Sequence, residues 1–335
     1  MRAPLAIIPG ELEYFTELPR MLENAGFAVR QADGPDALNS VIGDADVMLA
    51  SGFLGVNREQ LTAANRLRGV ISLIIGVDNV DVQACTDLGI IVGNGAVPQN
   101  PIGTAEGAVL LIVALLKGLK LKENAVRSGG YRPSGDASNL VWRKTVGIIG
   151  VGRIGRAVAE RLQGWDVNLL GCGPHLTPET APPGMTVVGL EELLRESDVV
   201  SIHAVLNPET GGLIGARELA LMKPSAYLVN TARGAIVDEM ALAIALREGS
   251  LAGAAIDVWS QEPPQPDHPL FSLPPDRVIL TGHCIGHAAE ILPALANSAV
   301  ESLTRVFHGE LPLYMVNPEV VPAWRERLAR IDGRD

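Results

Sequence analysis

Three side chains in the second half of the chain carry chemistry suited to a small anion. Arg233, in "NTARG" (230–234), follows the apolar run Tyr227–Val229. A guanidinium grips a carboxylate bidentately better than any other side chain. Glu262, in "DVWSQEP" (257–263), follows the run Ala254–Asp257, with Asp257 at the run's end. His283, in "TGHCIGH" (281–287), stands just past Val278–Leu280, and imidazole is the side chain that exchanges a proton near neutral pH. Taken singly, each has a plain structural reading: a surface ion pair, a solvated loop acid, a satisfied histidine. His268, His287 and His308 are read that way. Taken together, the three follow successive strands on one edge of a sheet, where ligands bind in open α/β folds.

A fourth signal shares that edge. Residues 146–155 read "VGIIGVGRIG", so Gly150, Gly152 and Gly155 form G-x-G-x-x-G directly after an apolar strand and before a helix. That context suits a dinucleotide. The first glycine permits a tight turn, the second lets backbone approach a pyrophosphate, and the third lets helix and strand pack closely. The helix start, at Arg153 and Ile154, offers free N–H groups to the anion. An acidic residue for the adenosine ribose is expected about 20 positions on; Gly173 stands there, 23 residues past Gly150. Nothing acidic at that point repels a 2′-phosphate, and only His175 nearby is a cation candidate, so NAD and NADP both remain open.

These residues need elements to place them. Short apolar runs (Leu5–Ile8, Val47–Ala50, Val70–Ile74, Ile90–Val92) alternate with helical patterns near Leu12–Asn24, Arg58–Asn65 and Val80–Asp87. The rhythm restarts at Thr145 with Val146–Ile149, Val167–Leu170, Val199–Ile202, Tyr227–Val229, Ala254–Asp257 and Val278–Leu280. Such alternation predicts two parallel-sheet α/β units. Thr104–Leu121 reads as one long apolar helix between them, Ile291–His308 as another helix, and the proline-rich stretch Pro263–Pro275 as a loop.

Composition bounds the function. The 335 residues are 47% hydrophobic and 19% charged, which excludes general disorder. A net charge of −11 argues against nucleic acid or an anionic membrane as the main partner. Cys85, Cys172 and Cys284 are too scattered for a metal site or a disulfide framework. Leu5–Ile8 is too short for the core of a signal peptide, and a cytoplasmic location is expected. Ala108–Leu116 is an apolar run of nine residues, read as buried helix because a membrane span needs about 20.

The motifs resemble the D-isomer-specific 2-hydroxyacid dehydrogenase family over nearly the whole chain. The resemblance runs from "IGVDNVD" (75–81) through "VGIIGVGRIG", "SDVVSIHAVLNPETGGLIG" (197–215) and "LMKPSAYLVNTARGAIVDE" (221–239) to "VNPEV" (316–320). It implies two doubly wound domains. A discontinuous flavodoxin-like substrate domain spans about 1–98 and 290–335. A Rossmann dinucleotide domain at about 99–289 is inserted into it, with the site in the cleft. It implies that Arg233 binds the substrate carboxylate and polarises the 2-oxo group, that His283 is the general acid or base, and that Glu262 orients His283. Backbone amides at Ile75 and Gly76 would also hold the carboxylate. Thr104, His203 and Ala204 would lie near the cofactor, with Thr231 and Asp257 at its nicotinamide end. It further implies a homodimer through the dinucleotide domain, with the Thr104–Leu121 helix in the interface, and a glyoxylate- or hydroxypyruvate-type substrate. No metal is implied.

Departures from the family pattern are Gly282 where Pro usually precedes the histidine, Ala204 where Pro is common, Gly173 for the acid, and "GAVPQNPIGTAE" (95–106). Three rivals are weighed. "VRSG" (126–129) and "RLQGW" (161–165) are similar to phosphite dehydrogenase, but that activity is associated with Lys at the place of Ile75. Formate dehydrogenases of the superfamily carry Gln where this chain has Glu262. Dinucleotide-sensing corepressors of the same fold keep the triad, and the lack of long tails here favours an enzyme. Ser51–Leu54, with Phe53 and Leu54 and no cation, suits a small or mildly apolar substrate over a phosphorylated one.

Overall fold

The computed structural model describes residues 2–10, 12, 14–51, 54–132 and 138–333; Phe53 lies outside them. The chain divides into two compact units, residues 1–100 with 288–335, and residues 101–287.

In the first unit, β1 (Leu5–Pro9), β2 (Ala28–Ala32), β3 (Val47–Ala50), β4 (Gly69–Ser72) and β5 (Ile91–Gly93) form one parallel sheet in the order β2-β1-β3-β4-β5. Every residue of β1, β3, β4 and β5 is buried, because helices cover both faces; such strands read as continuous apolar runs rather than alternations. Ile7, Met48, Val70 and Val92 pack on one face with Leu38, Leu61 and Cys85. Ile8, Val47, Leu49 and Ile71 pack on the other with Leu18, Leu22, Leu303 and Trp324. The edge strand β2, "AVRQA", is largely exposed and carries no apolar run to announce it.

In the second unit, β6 (Thr145–Ile149), β7 (Asn168–Cys172), β8 (Met185–Val187), β9 (Val199–Ile202), β10 (Tyr227–Asn230), β11 (Gly253–Ile256) and β12 (Val278–Leu280) form a parallel sheet in the order β12-β11-β10-β9-β6-β7-β8. The chain leaves β6 toward β7 on one side and returns to β9 on the other. That reversal is the switch point at which open α/β sheets bind ligands, outside the strands' carboxyl ends.

Two expected helices are corrected. Thr104–Leu121 is not one helix: Gln99–Leu116 ends at Gly118, which takes a left-handed φ of 58°, and a second helix runs Leu119–Arg127. Glycine reaches that conformation without steric cost and stops the first helix. Its apolar character reflects burial: Ala105, Ala108, Leu111, Ile112 and Leu115 pack under β6, β9 and β10 with Val146, Val199 and Val229. The helix expected over Leu12–Asn24 runs only Leu18–Asn24; Pro19 fits the first helical turn and no later one.

Candidate active site

The glycine turn follows β6. Gly150 has φ +90°, its N–H donates to Cys172 O at 2.9 Å, and a Cβ there would lie 2.5 Å from Ala204 N. Only a residue without a side chain allows β6 to pass so close to the segment leaving β9. Gly155 meets the Gly150 carbonyl, whereas the Cβ direction of Gly152 opens on no atom within 4 Å. Gly152 caps the helix Arg153–Leu162, whose first intrahelical bond is donated by Arg156 N. The N–H groups of Arg153, Ile154 and Gly155 thus have no helical acceptor and face an approaching anion.

Beside this turn, two shielded polar atoms have no hydrogen-bond partner among the described residues: His203 Nδ1, just past β9, and Thr231 Oγ1, just past β10. The His203 ring bonds Ser201 Oγ through Nε2 at 2.8 Å. Burial pushes its pKa down to about 4, so the ring is neutral near pH 7. Gly173 follows β7, and a Cβ there would make only ordinary contacts, 3.9 Å from Leu176 Cβ and Val151 N. An open Gly152, free helix N–H groups and two orphaned donor-acceptor atoms at the switch point fit a nicotinamide dinucleotide.

Arg233, Glu262 and His283 come together past β10, β11 and β12. His283 Nδ1 lies 2.8 Å from Glu262 Oε2, and Glu262 Oε1 accepts from Trp259 N at 3.0 Å. With Nδ1–H donated to the carboxylate, Nε2 is the atom left to carry a proton outward. Arg233 is near enough for its charge to act on Glu262. Partial burial pushes the Glu262 carboxyl up. Hydrogen bonds from the His283 ring and the Trp259 N–H, with the charges of His283 and Arg233, outweigh that, and the net shift is downward. The Arg233 backbone is tied by Asn230, whose side chain donates to Arg233 O at 2.9 Å and accepts from Ala232 N at 3.1 Å. The next residue, Gly234, leaves no room for a side chain: a Cβ would sit 1.9 Å from Trp259 C. That contact brings the arginine segment against the loop that carries Glu262.

Asp257 is 3% exposed and its Oδ1 accepts from Thr281 Oγ1 at 2.6 Å, Cys284 N at 3.0 Å and Ile285 N at 3.2 Å. Its carboxylate fastens the histidine loop, and His283 sits there at a left-handed φ of 56°, uncommon for a residue with a side chain. Thr104 packs on Gly286 of the same loop. Ala204 lies against Gly150. Ile75 and Gly76 belong to the first unit, in the loop after β4.

Sequence reasoning missed the buried support of the glutamate loop. Glu239 accepts from Ser260 N at 2.9 Å and from Ser260 Oγ, and pairs with His268 Nε2 at 3.1 Å. His268, read as structural, braces "DVWSQEP" through this carboxylate and through an edge contact with Trp259. The signal was a carboxylate opening a helix, which by itself reads as a dipole partner. The three cysteines divide by burial: Cys85 and Cys172 are buried, with thiols pushed up to about 12 and about 11, and Cys284 is exposed beside His283.

Residues 109–284 match the family described as D-isomer specific 2-hydroxyacid dehydrogenase, NAD binding domain. A glyoxylate reductase of Aeropyrum pernix is 40% identical over 276 residues, 79% of this chain and 81% of that protein. The chain belongs to the D-isomer-specific 2-hydroxyacid dehydrogenase family. Within that family it is also similar to a D-3-phosphoglycerate dehydrogenase of Methanocaldococcus jannaschii, 34% identical over 316 residues, 93% of this chain and 59% of that protein. The chain thus spans little more than half the length of the phosphoglycerate dehydrogenases it matches. Among solved structures, D-lactate dehydrogenase of Aquifex aeolicus, complexed with NAD and lactic acid, superposes with a TM-score of 0.84 at 25% identity, covering 93% of this chain and 98% of the other. That solved structure matches the fold over both α/β units described above.

Proposed function

We propose that the chain is an NAD(P)-dependent D-2-hydroxyacid dehydrogenase acting on a small 2-oxo acid, with glyoxylate or hydroxypyruvate as substrate. The observation that carries this reading is the His283–Glu262 contact at 2.8 Å beside Arg233, past the same sheet that holds the glycine turn. A bound nicotinamide dinucleotide supplies the hydride. Arg233 grips the carboxylate and draws charge toward the growing alkoxide; His283 Nε2 delivers the proton that neutralises it. Glu262 holds the ring in the tautomer that frees Nε2. By resemblance, phosphite as substrate goes with Lys at the place of Ile75; the isoleucine here supports a 2-oxo acid instead.

The test is turnover. Purified chain mixed with NADH or NADPH and glyoxylate or hydroxypyruvate should oxidise cofactor at about 1–1000 per second. Dinucleotide fluorescence that changes on binding without turnover would favour a sensing protein of the same fold.

Three expectations follow from particular groups. Reduction uses the protonated His283 ring and oxidation the neutral ring. On the acid side, Glu262 is depressed below its unfolded value of about 4.3. Its contribution is therefore complete above that value and is lost only as pH falls through the lower folded value. A reductive profile whose acid limb is centred above about pH 4.5 would contradict the assignment.

The open space at Gly173 admits a carboxylate that accepts from a ribose hydroxyl and repels a 2′-phosphate. Gly173→Asp should shift the ratio of kcat/KM toward NADH over NADPH by about tenfold or more, on the order of 1.4 kcal/mol. An unchanged ratio would remove Gly173 from the cofactor site.

A second copy of the chain is the proposed protein partner. Leu110, Leu119, Val126, Leu140 and Trp142 are exposed along Gln99–Leu116, Leu119–Arg127 and the segment that follows. So many large apolar side chains on one stretch mark an association surface. Sedimentation equilibrium should return twice the chain mass; a monomer at micromolar concentration would refute the pairing.

A further inference from the structure

We propose that Trp259 and Glu239 are positioning residues that hold the Glu262 loop against the His283 loop, an inference that rests on the dehydrogenase reading above. All the groups concerned lie in the second unit. Three segments meet at Trp259, which is 6% exposed. Its backbone N–H donates to Glu262 Oε1 at 3.0 Å. Its indole Nε1–H donates at 3.0 Å to the carbonyl of Thr281, two residues before His283. Gly234, next to Arg233, packs on its carbonyl carbon. One residue thus ties the loop of the carboxylate to the loop of the imidazole. With Oε1 committed to Trp259, Glu262 turns Oε2 to His283 Nδ1 at 2.8 Å.

Trp259 is itself fixed from behind. Ser260 N donates to Glu239 Oε1 at 2.9 Å, so the N–H groups on either side of the Trp259 Cα go to two different carboxylates. Rotation about both backbone bonds of Trp259 would break one of them. Glu239 Oε2 accepts from Ser260 Oγ and lies 3.1 Å from His268 Nε2. His268 Nδ1 accepts from Leu270 N at 3.4 Å, so a ring with its proton on Nε2 satisfies both contacts. A carboxylate suits all three donors, and Glu239 opens the helix Glu239–Glu248, where the dipole favours negative charge. Edge contacts with His268 at 5.0 Å and Phe271 at 5.4 Å hold the indole in place. The charged groups that act on Glu262 are His283 and Arg233. Glu239 and His268 stand behind Ser260, and Asp257 holds Cys284 N and Ile285 N past the histidine.

Trp259→Phe and Glu239→Gln, each alone and combined with His283→Ala, separate positioning from packing. Phe keeps an aromatic ring beside His268 and Phe271 and removes the indole donor. Gln keeps the shape of Glu but places an amide donor against groups that already donate. The readouts are kcat and KM for glyoxylate, KM for the nicotinamide cofactor, and titration of the Glu262 carboxyl by carbon-13 NMR, assigned by its loss in Glu262→Gln. Each variant alone should lower kcat about threefold to tenfold, with both KM values little changed. Hydrogen bonds from His283 and Trp259 hold the Glu262 carboxyl down, so its titration should move upward in both variants. Combined with His283→Ala, either change should cost less than about twofold more in kcat, because residues that act through one group are not additive. An equal loss in the His283→Ala background, or a loss of thermal stability with kcat and the Glu262 titration unmoved, refutes the positioning role. A misfolded Glu239→Gln leaves Trp259→Phe, alone and with His283→Ala, to decide. Failure of the functional reading looks different: the unaltered chain would turn over no 2-oxo acid. The Glu262 titration needs no substrate and then still decides, an unmoved carboxyl in both variants overturning the tie.

Discussion

Replacing His283 with alanine should lower reductive kcat by about 10²- to 10⁴-fold while leaving dinucleotide affinity unchanged. The argument is one of atoms. His283 Nδ1 is committed to Glu262, so Nε2 is the position from which a proton reaches a substrate oxygen. The groups that fit the diphosphate lie on a different segment, Gly150 to Gly155, and the ring contributes nothing to them. Loss therefore appears in the chemical step, not in cofactor binding. Glu262→Gln should fall between the unaltered chain and His283→Ala, because glutamine still touches the ring but no longer stabilises its protonated form. Stopped-flow traces with NADH or NADPH and glyoxylate separate the two steps. Wild-type turnover in His283→Ala would show that the proton comes from elsewhere.

Arg233→Ala should act on both constants, raising KM for the 2-oxo acid and lowering kcat. A charge-assisted hydrogen bond is worth about 1.5–3 kcal/mol. Losing a bidentate grip should therefore cost on the order of 10²-fold or more in kcat/KM. Arg233→Lys should recover little, since an ammonium is a point charge without the planar fork. A second consequence sets this residue apart from a simple anchor. Its charge helps hold Glu262 down, so Arg233→Ala should move the acid limb of the pH profile upward. A variant with raised KM but unmoved kcat would confine Arg233 to ground-state binding.

The parts of the fold legible in sequence are those with one physical cause. Central strands buried on both faces, such as β3 and β9, show as apolar runs with the observed bounds. The polar residues directly after such runs lie at the ligand-binding edge by topology alone, which is why Arg233 and His283 were accessible to reading. Two edge strands escaped it. β2 and β8 are largely exposed or half-buried and short, so no hydrophobic pattern marks them. The helix break at Gly118 escaped because Lys117, Leu119 and Lys120 around it are all good helix formers, and one glycine carried the whole signal. The supports of the site were hidden for a third reason. The pairings of Glu239 with Ser260 and His268 exist only once distant backbone is folded. Neither serine nor glutamate at those positions carries a spacing that distinguishes it from an ordinary cap or surface residue.

The most direct test of the central claim is a crystal structure of the chain with its nicotinamide dinucleotide and oxamate, which mimics a 2-oxo acid. The distance to be measured is from His283 Nε2 to the oxamate carbonyl oxygen. The account predicts hydrogen-bond reach, about 2.6–3.2 Å, with the Arg233 guanidinium on the same molecule. An oxamate bound beyond reach of both side chains, or against the opposite edge of the sheet from the glycine turn, would contradict it.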